Sequence, residues 1–497
     1  MSNRRNVFHI SGRLAALGLT LVVMTAHAQT VSGPIPGRLT LSQNPFDHTP
    51  AGYVAEEYFL SGTAKAYKTA TPPAADGMWR AEEADSAPYK TRLIVARPTD
   101  PARFNGTVVV EWLNVSGGTD AAPDWNYLHR ELIRKGYAWV GVSAQKVGLE
   151  GGQMAVPGIL PVKKADPERY GGLMHPGDTY AFDIYSQAAQ AVRHKGQGGI
   201  LGSLTPRTVL AIGESQSAVF LTTYVNAVDP LAKVFDGYLI HSRFRSAAPL
   251  NGDFLSSMQA RAGNHDVPSV MIRADVRVPV MMFITETDLM APTAGYLPSR
   301  QADTPRIRTW EVAGTAHADT YTFAVGVIDT GSAPIESLAK AFTPSANFFG
   351  QALGKPVNAA PQHHYVLQAA LSALETWVRT GKVPPAAPRL QTNDATPPTF
   401  VTDSVGNVMG GIRSPWVDVP TAKLSGIGQA GPGFARLFGS TEPFTQAKLA
   451  ELYPGGRDDY LKKFNKALTS AVQAGFILPA DEAEISALAA ASFSGGS

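Results

Sequence analysis

The sequence predicts an α/β fold in which a mostly parallel, twisted sheet of about eight strands carries helices on both faces. One reason is that, from residue 107 onward, short apolar segments rich in β-branched residues alternate with segments whose apolar residues recur at helical spacing. A second reason is the uninterrupted apolar run Val108-Val109-Val110, which suits a strand buried on both faces. A third is that no internal repeat of about 20 to 50 residues occurs, which argues against solenoids and propellers.

The elements of the predicted core follow in order along the chain. The first two strands, residues 53–60 and 92–97, are expected to pair antiparallel across a polar, turn-prone stretch at 72–88. The later predicted strands lie in GTVVVEWLN (106–114) and at 137–145, 208–212, 237–241, 278–285 and RTWEVAG (308–314). The predicted core helices are residues 125–135, 178–195, the segment after Ser215, and 363–380.

Both ends of the chain differ from this core, which spans residues 29–398. The N-terminus has the pattern of a signal peptide over residues 1–28: early arginines, an apolar run at 14–25, and Ala26-His27-Ala28. We expect cleavage after Ala28 and export to the periplasm or the extracellular space. Arg4-Arg5 leaves twin-arginine export open beside the general secretory route, and an uncleaved anchor is the alternative. No later segment is apolar for long enough to span a membrane.

The C-terminal extension, residues 399–497, begins with a stretch rich in Gly and Pro at 402–420. Three helices are predicted after it, near 444–452, at 457–474 and at 481–491. No charged or low-complexity linker precedes the extension, so we expect it to pack on the core rather than form a separate domain.

Composition narrows the chemistry. The 497 residues include no cysteine, which excludes thiol nucleophiles, thiolate zinc sites, iron–sulfur clusters and disulfides. With 44% hydrophobic residues, 17% charged residues and a net charge of +2, the chain lacks the basic surplus of a nucleic-acid binder. We therefore expect a small-molecule substrate, no nucleic-acid partner, and no metal or other cofactor.

The predicted strand at 208–212 leads through Gly213-Glu214-Ser215-Gln216-Ser217 into a helical segment, which is the setting of a nucleophile elbow. Residues two before and two after the serine must be small, because the strand and helix pass closely there. Gly213 and Ser217 meet this demand, although Ser217 stands where glycine is usual. An ordinary strand-to-helix loop is the alternative interpretation.

A serine nucleophile needs a base and an orienting carboxylate, and in hydrolases of this architecture the chain order is Ser, acid, His. Asp288 follows the predicted strand at 278–285, and His317 follows the next strand. Glu286 is the alternative acid, and Asp319 is a weaker third option. The oxyanion would be bound by the N–H of Gln216 and by the main chain of the loop at 113–120.

Within that loop, the N–H of either Asn114 or Val115 is the expected second oxyanion donor. Gly117-Gly118 in the same loop is equally compatible with a flexible turn.

These pieces together resemble the alpha/beta-hydrolase-domain family of exported bacterial proteins. The resemblance rests on EEYFLSGTA (56–64), EWLNVSGG (111–118), GESQS (213–217), ETD (286–288), AGTAH (313–317) and GGIRSPWVDVP (410–420). It covers nearly the whole mature chain and implies an α/β-hydrolase fold, Ser215 as nucleophile, His317 as base, and a C-terminal extension that belongs to the family unit. It implies no particular substrate.

Other polar residues have weaker signals. Arg243 and Glu214 are candidates for substrate binding, since Arg243 follows the predicted strand at 237–241 at the edge expected to hold Ser215. Arg245 and Arg413 allow the same interpretation, with structural ion pairs as the alternative for all three arginines. His363-His364 is not expected to bind metal as a pair, because adjacent helical residues face different ways.

The function predicted from the sequence is a secreted serine hydrolase that cleaves carboxylic esters through an acyl-enzyme. An acyltransferase of the same fold is one alternative, and a binding protein that keeps the pocket without catalysis is the other.

Overall fold

The computed structural model describes residues 1, 29–41, 47–152, 159–194, 199–250, 267–292, 294–348, 350–431 and 434–494. Apart from Met1, the predicted signal peptide lies outside the described residues. Within those ranges, no helix is long and apolar enough to cross a membrane.

In the described part of the chain, nine strands form one sheet in the order β1-β2-β3-β5-β4-β6-β7-β8-β9. The strands are β1 (Thr30–Ser32), β2 (Tyr53–Thr69), β3 (Ala81–Pro98), β4 (Thr107–Trp112), β5 (Ala138–Val142), β6 (Thr208–Glu214), β7 (Gly237–His241), β8 (Val280–Thr285) and β9 (Ile307–Val312). The first three strands and the β3–β5 pair are antiparallel, and every pair from β5 to β9 is parallel. The predicted α/β architecture is confirmed, with all eight expected strands and the short β1 in addition.

The helices described are α1 (Pro123–Arg134), α2 (Lys146–Glu150), α3 (Val162–Ala165), α4 (Pro167–Tyr170), α5 (Ala181–Arg193), α6 (Gln216–Thr223), α7 (Asp229–Ala232), α8 (Glu286–Met290), α9 (Ile335–Ala341), α10 (Gln362–Thr380), α11 (Pro415–Asp418), α12 (Gln446–Leu452), α13 (Gly456–Gln473) and α14 (Glu482–Ser492). Short two-stranded ladders pair β10 (Asn347–Phe348) with β11 (Gln351–Ala352), and β12 (Ala422–Ser425) with β13 (Ser440–Pro443). Each predicted helix is present within a few residues of its expected bounds.

The central strands bury both faces because their side chains alternate between two cores. Val108 and Val110 of β4 join the cluster that contains residues of α5 and α6, whereas Val109 joins the cluster that contains residues of α1 and α10. All three valines are fully buried, and each side chain contributes about 1.5–3 kcal/mol to stability. The uninterrupted apolar run in the sequence is therefore explained by helices on both sides.

The hairpin of β2 and β3 is longer than the sequence indicated. The stretch predicted as polar and turn-prone, 72–88, contains a turn only in its first part, because β3 already begins at Ala81. The outer part of β3 is mostly exposed and pairs with the outer part of β2, as in the pairs Lys68 with Glu82 and Tyr67 with Glu83. Its polar residues are thus those of an exposed strand, which lacks the apolar pattern used to recognise buried strands.

The C-terminal extension contacts the core at the open edge of β9. Ile412 forms a parallel bridge with Val312, and its N–H donates to the carbonyl of Glu311 at 2.7 Å. Further along, the N–H of Gly426 donates to the buried carboxylate of Glu286 at 2.8 Å. These contacts support the expectation that residues 399–497 pack on the core.

Candidate active site

The predicted nucleophile, Ser215, stands between the end of β6 and the start of α6. Its backbone has φ 61° and ψ −118°, a conformation that costs a non-glycine residue about 1–3 kcal/mol. The turn is tight, because a Cβ on Gly213 would come within 3.0 Å of the Ser217 Cβ. The N–H of Ser215 donates to the carbonyl of His241 in β7 at 3.0 Å, which ties the turn to the neighbouring strand.

His317 and Asp288 lie beside Ser215 at the same edge of the sheet. The Nε2 of His317 is 2.8 Å from the Oγ of Ser215, and its Nδ1 is 2.5 Å from the Oδ1 of Asp288. Parallel strands β6, β8 and β9 carry these residues just past their carboxyl ends, so segments far apart in sequence meet there. The three residues that the sequence proposed in separate loops are therefore in continuous contact.

Local structure fixes the carboxylate of Asp288. Thr285 caps α8, and the second carboxylate oxygen of Asp288 accepts from the N–H of Thr285 at 2.7 Å and from its hydroxyl at 2.6 Å. The loop of His317 is held too, since its N–H donates to the Oγ1 of Thr287 at 3.1 Å. Both halves of the acid–base pair are thus held by the start of one short helix.

The electrostatics favour a charged acid and a basic imidazole. Burial raises the pKa of Asp288, but the neighbouring His317 and the Thr285 donors outweigh burial and leave the pKa below its usual value. Burial lowers the pKa of His317, yet the carboxylates of Glu214 and Asp288 more than compensate, so its net pKa is raised. An imidazole in this setting is well suited to accept a proton.

The other two candidate acids are placed elsewhere. The carboxylate of Glu286 accepts from the N–H of Gly314 at 2.6 Å and from that of Gly426, and burial raises its pKa to about 7. Asp319 accepts from the hydroxyl of Tyr127 at 3.1 Å. Within the described ranges, neither carboxylate contacts the His317 ring, so the geometry favours Asp288 as the acid.

The predicted oxyanion donors differ in whether their backbone N–H groups already have an acceptor. Gln216 directly follows Ser215 and is the first residue of α6, so its N–H has no acceptor within the helix. The N–H of Asn114 donates to the carbonyl of Ala121 at 2.9 Å, which corrects its proposed role as an oxyanion donor. The N–H of Val115 makes a long contact of 3.4 Å with the side-chain oxygen of Gln216, so of the two predicted candidates it is the one that is not already donated to a backbone carbonyl.

Glu214 and Phe244 complete the surroundings of the imidazole. The Oε1 of Glu214 is 3.1 Å from the Nε2 of His317, and the ring of Phe244 stacks on the imidazole at 5.2 Å and 24°. The sequence predicted that Glu214 binds substrate, but its contact with His317 was not predicted. The role of Phe244 beside the imidazole was not predicted either, although its position just after β7, next to Arg243, could have indicated it.

The three arginines named as anion-binding candidates have internal partners. Arg243 is fully buried and donates to the carbonyls of Phe244 and Val270 at 3.1 and 2.5 Å, so its predicted role in substrate binding finds no support in its described contacts. Arg245 donates to the hydroxyl of Ser269. Arg413 forms ion pairs with Asp403 and Asp418, the structural alternative considered for it.

The two adjacent histidines of α10 contact different partners. The Nε2 of His363 lies 2.8 Å from the Nε2 of His241, and His364 stacks on Tyr321 with ring centroids 3.9 Å apart.

Potential metal ligands gather at one place in the described part of the chain, where Asp329, His364 and Glu484 offer atoms within 4.8 Å of one another. The guanidinium of Arg130 already pairs with both carboxylates, so this cluster is an internal ion-pair network.

The sheet order, the turn at Ser215 and the Ser–His–Asp contacts together describe the architecture of an α/β hydrolase. A family model described as alpha/beta hydrolase domain matches residues 27–487, and the chain belongs to this family. No curated protein sequence matches it.

Among solved structures, the chain is similar to esterase Est22 at 10% identity, with a TM-score of 0.27 over 48% of this chain and 64% of that one. It is similar to oligopeptidase B from Trypanosoma brucei at 12% identity and a TM-score of 0.27, over 54% of this chain and 34% of that one. An esterase from Rhizomucor miehei gives 11% identity and a TM-score of 0.28, over 64% and 85%. The chain spans less than two thirds of the first two proteins, and similarities this low carry no argument about activity.

Proposed function

We propose that this chain is a secreted serine hydrolase that cleaves carboxylic esters through an acyl-enzyme on Ser215. His317 would act as general base and Asp288 as the carboxylate that orients it. The observation that carries the proposal is the unbroken line of contacts from Asp288 through His317 to Ser215, with distances of 2.5 and 2.8 Å.

The chemistry follows from where the protons lie. With the Nδ1–H of His317 donated to Asp288, the Nε2 lone pair accepts the hydroxyl proton of Ser215 as Oγ attacks the ester carbonyl carbon. The carbonyl oxygen becomes an oxyanion beside the N–H of Gln216 and that of Val115. His317 then gives its proton to the departing alcohol, which leaves the acyl group on Ser215.

Water completes the cycle. His317 takes a proton from the water molecule, the hydroxide oxygen adds to the acyl carbon, and the Nε2 proton returns to Oγ as the carboxylic acid departs. The strained turn at Ser215 suits this role, because it presents the hydroxyl beyond the sheet edge instead of within the helix.

Covalent labelling tests the proposal directly. Purified mature protein should be labelled by a fluorophosphonate probe at one site, and Ser215→Ala should abolish the label while its thermal melt stays close to wild type. The matched control is Ser242→Ala, which removes another buried serine that also has positive φ. Labelling that survives Ser215→Ala would remove Ser215 as the nucleophile, and no labelling would favour a non-catalytic binding protein.

A panel of p-nitrophenyl esters then separates hydrolysis from acyl transfer. If the enzyme is a hydrolase, the acid should be released at a rate that added alcohol changes little. If alcohol acceptors captured most of the acyl group in dilute aqueous solution, the acyltransferase alternative would replace the hydrolase.

Export is part of the proposal and is supported by the pattern of the first 28 residues. N-terminal sequencing of protein recovered from the periplasm or medium should begin at Gln29. Intact N-termini in a membrane fraction would instead indicate an uncleaved anchor.

A further inference from the structure

The nitrogen of His317 that faces the nucleophile has two oxygen neighbours. The Nε2 is 2.8 Å from the Oγ of Ser215 and 3.1 Å from the Oε1 of Glu214. Glu214 is the last residue of β6, and its side chain is only 8% exposed. The other carboxylate oxygen accepts from the side-chain amide of Asn114 at 3.3 Å, which holds the carboxyl group in this orientation.

The positions of the protons restrict what this contact can be. The Nδ1 of His317 lies against Asp288, an acceptor, and therefore carries a proton. In the neutral imidazole, Nε2 is then a bare lone pair, and a carboxylate oxygen at 3.1 Å would repel it. The contact is favourable only when a proton lies between Nε2 and Glu214, either on the ring or on the carboxyl group.

We propose that Glu214 is a positioning residue of the catalytic base: it shares one proton with Nε2 of His317, and the loss of this proton from the pair switches the site on. This inference rests on the proposed function. In the protonated state, Nε2 has no lone pair to receive the hydroxyl proton of Ser215, so the site is inactive. In the deprotonated state, the Glu214 carboxylate stabilises the imidazolium that forms when His317 takes that proton.

The surrounding charges are consistent with a shared proton. Burial raises the pKa of Glu214 to about 7, against the opposing effect of His317. The net pKa of His317 is raised, because the charges of Glu214 and Asp288 and the hydrogen bond to Asp288 together outweigh burial. Among the described residues, other titratable groups that act on this pair from neighbouring elements include Asp288 of α8, His241 of β7, Glu111 of β4, and Asp124 and Tyr127 of α1.

The test is the rate of fluorophosphonate labelling as a function of pH, because it reports activation of Ser215 without a leaving alcohol or a deacylation step. Glu214→Gln keeps the shape and the contact with Asn114 but removes the charge. An opposite charge at this distance raises the pKa of a histidine by about 1–3 units. In Glu214→Gln, the acid limb of the profile, which is the fall in labelling rate at low pH, should therefore move to lower pH by about one unit or more.

The size of the expected effect is set by that shift. Two pH units below the wild-type midpoint, wild type labels at about 1% of its plateau, and a variant shifted by one unit labels at about 10% of its own. The plateau itself should fall by about 10- to 100-fold, as expected for loss of one charged hydrogen bond to the imidazolium. A merely structural role for Glu214 would not move the acid limb.

Controls separate the possible failures. Glu442→Gln, a remote and half-exposed glutamate paired with Lys355, removes the same charge and should leave the profile unchanged. If Glu214→Gln has a lowered Tm, the pH profile of labelling is measured for Glu214→Ala as well. A wild-type protein that does not label overturns the proposed function itself. A wild type that labels, together with Glu214 variants whose acid limb stays in place or rises, overturns this inference alone.

Discussion

Asp288→Asn is expected to disable the site by reversing the tautomer of His317. One oxygen of Asp288 accepts from both the N–H and the hydroxyl of Thr285, at 2.7 and 2.6 Å. In the asparagine variant, the amide oxygen must occupy this position, because an NH₂ group there would oppose the N–H of Thr285. The NH₂ group then faces Nδ1 of His317, where the carboxylate stood at 2.5 Å.

A donor opposite Nδ1 forces the ring proton onto Nε2. That nitrogen can then no longer accept the hydroxyl proton of Ser215, although every heavy atom stays in place. The loss of the correct tautomer in a serine hydrolase costs about 10⁴-fold in turnover, or about 5.5 kcal/mol of transition-state stabilisation. We therefore expect kcat for a p-nitrophenyl ester to fall by roughly 10³- to 10⁴-fold.

The matched comparison is Glu286→Gln, which alters the alternative acid two residues earlier. The carboxylate of Glu286 accepts from the N–H of Gly314 and of Gly426, and its described contacts do not include the imidazole, so most of the turnover should remain. Both variants are assayed at the pH of the wild-type plateau, after thermal melts establish that they are folded. A loss of less than about tenfold in Asp288→Asn, or a larger loss in Glu286→Gln, would refute the reasoning.

Three further outcomes are expected. Ser215→Ala and His317→Ala should each lower turnover by about 10³-fold or more. Because residues of a triad act as a unit, the double variant should be little worse than either single variant, and multiplicative losses would contradict this. Ser217, fully buried and opposite Gly213, should tolerate Ala or Gly, whereas Ser217→Val should lower the free energy of unfolding by about 1–3 kcal/mol, measured by denaturant melts. Burial raises the pKa of Glu286 to about 7, so the folded state binds the proton of this carboxyl group more tightly than the unfolded state does. The stability that this proton contributes is lost as the pH rises from about 4.5 to 7. Tm should therefore fall less over this range in Glu286→Gln than in wild type, and equal slopes would argue against the assignment.

Much of the architecture was predictable because its signals are local. The parallel strands are buried on both faces and read as apolar runs, and the helices between them show regular apolar spacing. The segment 208–217 combined a buried strand, a small residue on each side of a serine, and a helix, and the structure has this turn with Ser215 at positive φ. Order along the chain then indicated the loops of Asp288 and His317.

What escaped prediction depends on contacts between distant residues. The choice between Asn114 and Val115 as oxyanion donor turns on a hydrogen bond from Asn114 to Ala121, which no pattern of residue types displays. The contact of Glu214 with His317 joins residues about a hundred positions apart and depends on a side-chain rotamer at the end of β6.

One local prediction was also incomplete. The hydroxyl of Ser217 was expected either to bond a nearby carbonyl or to hold the helix slightly away. Among the described residues it has no hydrogen-bond partner, so the first of these outcomes is not observed.

The way Gly426 joins the loops of the candidate site bears on when this protein becomes competent during synthesis. The carbonyl of Gly426 accepts a hydrogen bond from the hydroxyl of Thr287 at 2.5 Å, and the oxygen of that hydroxyl accepts one from the N–H of His317. Because residue 426 leaves the ribosome long after the sheet strands, the Thr287 hydroxyl lacks this acceptor until the C-terminal extension has been synthesised. A product that ends before residue 399 would contain Ser215, Asp288 and His317 but not the backbone carbonyl that holds Thr287, so we expect the loop of His317 to be less firmly held in it.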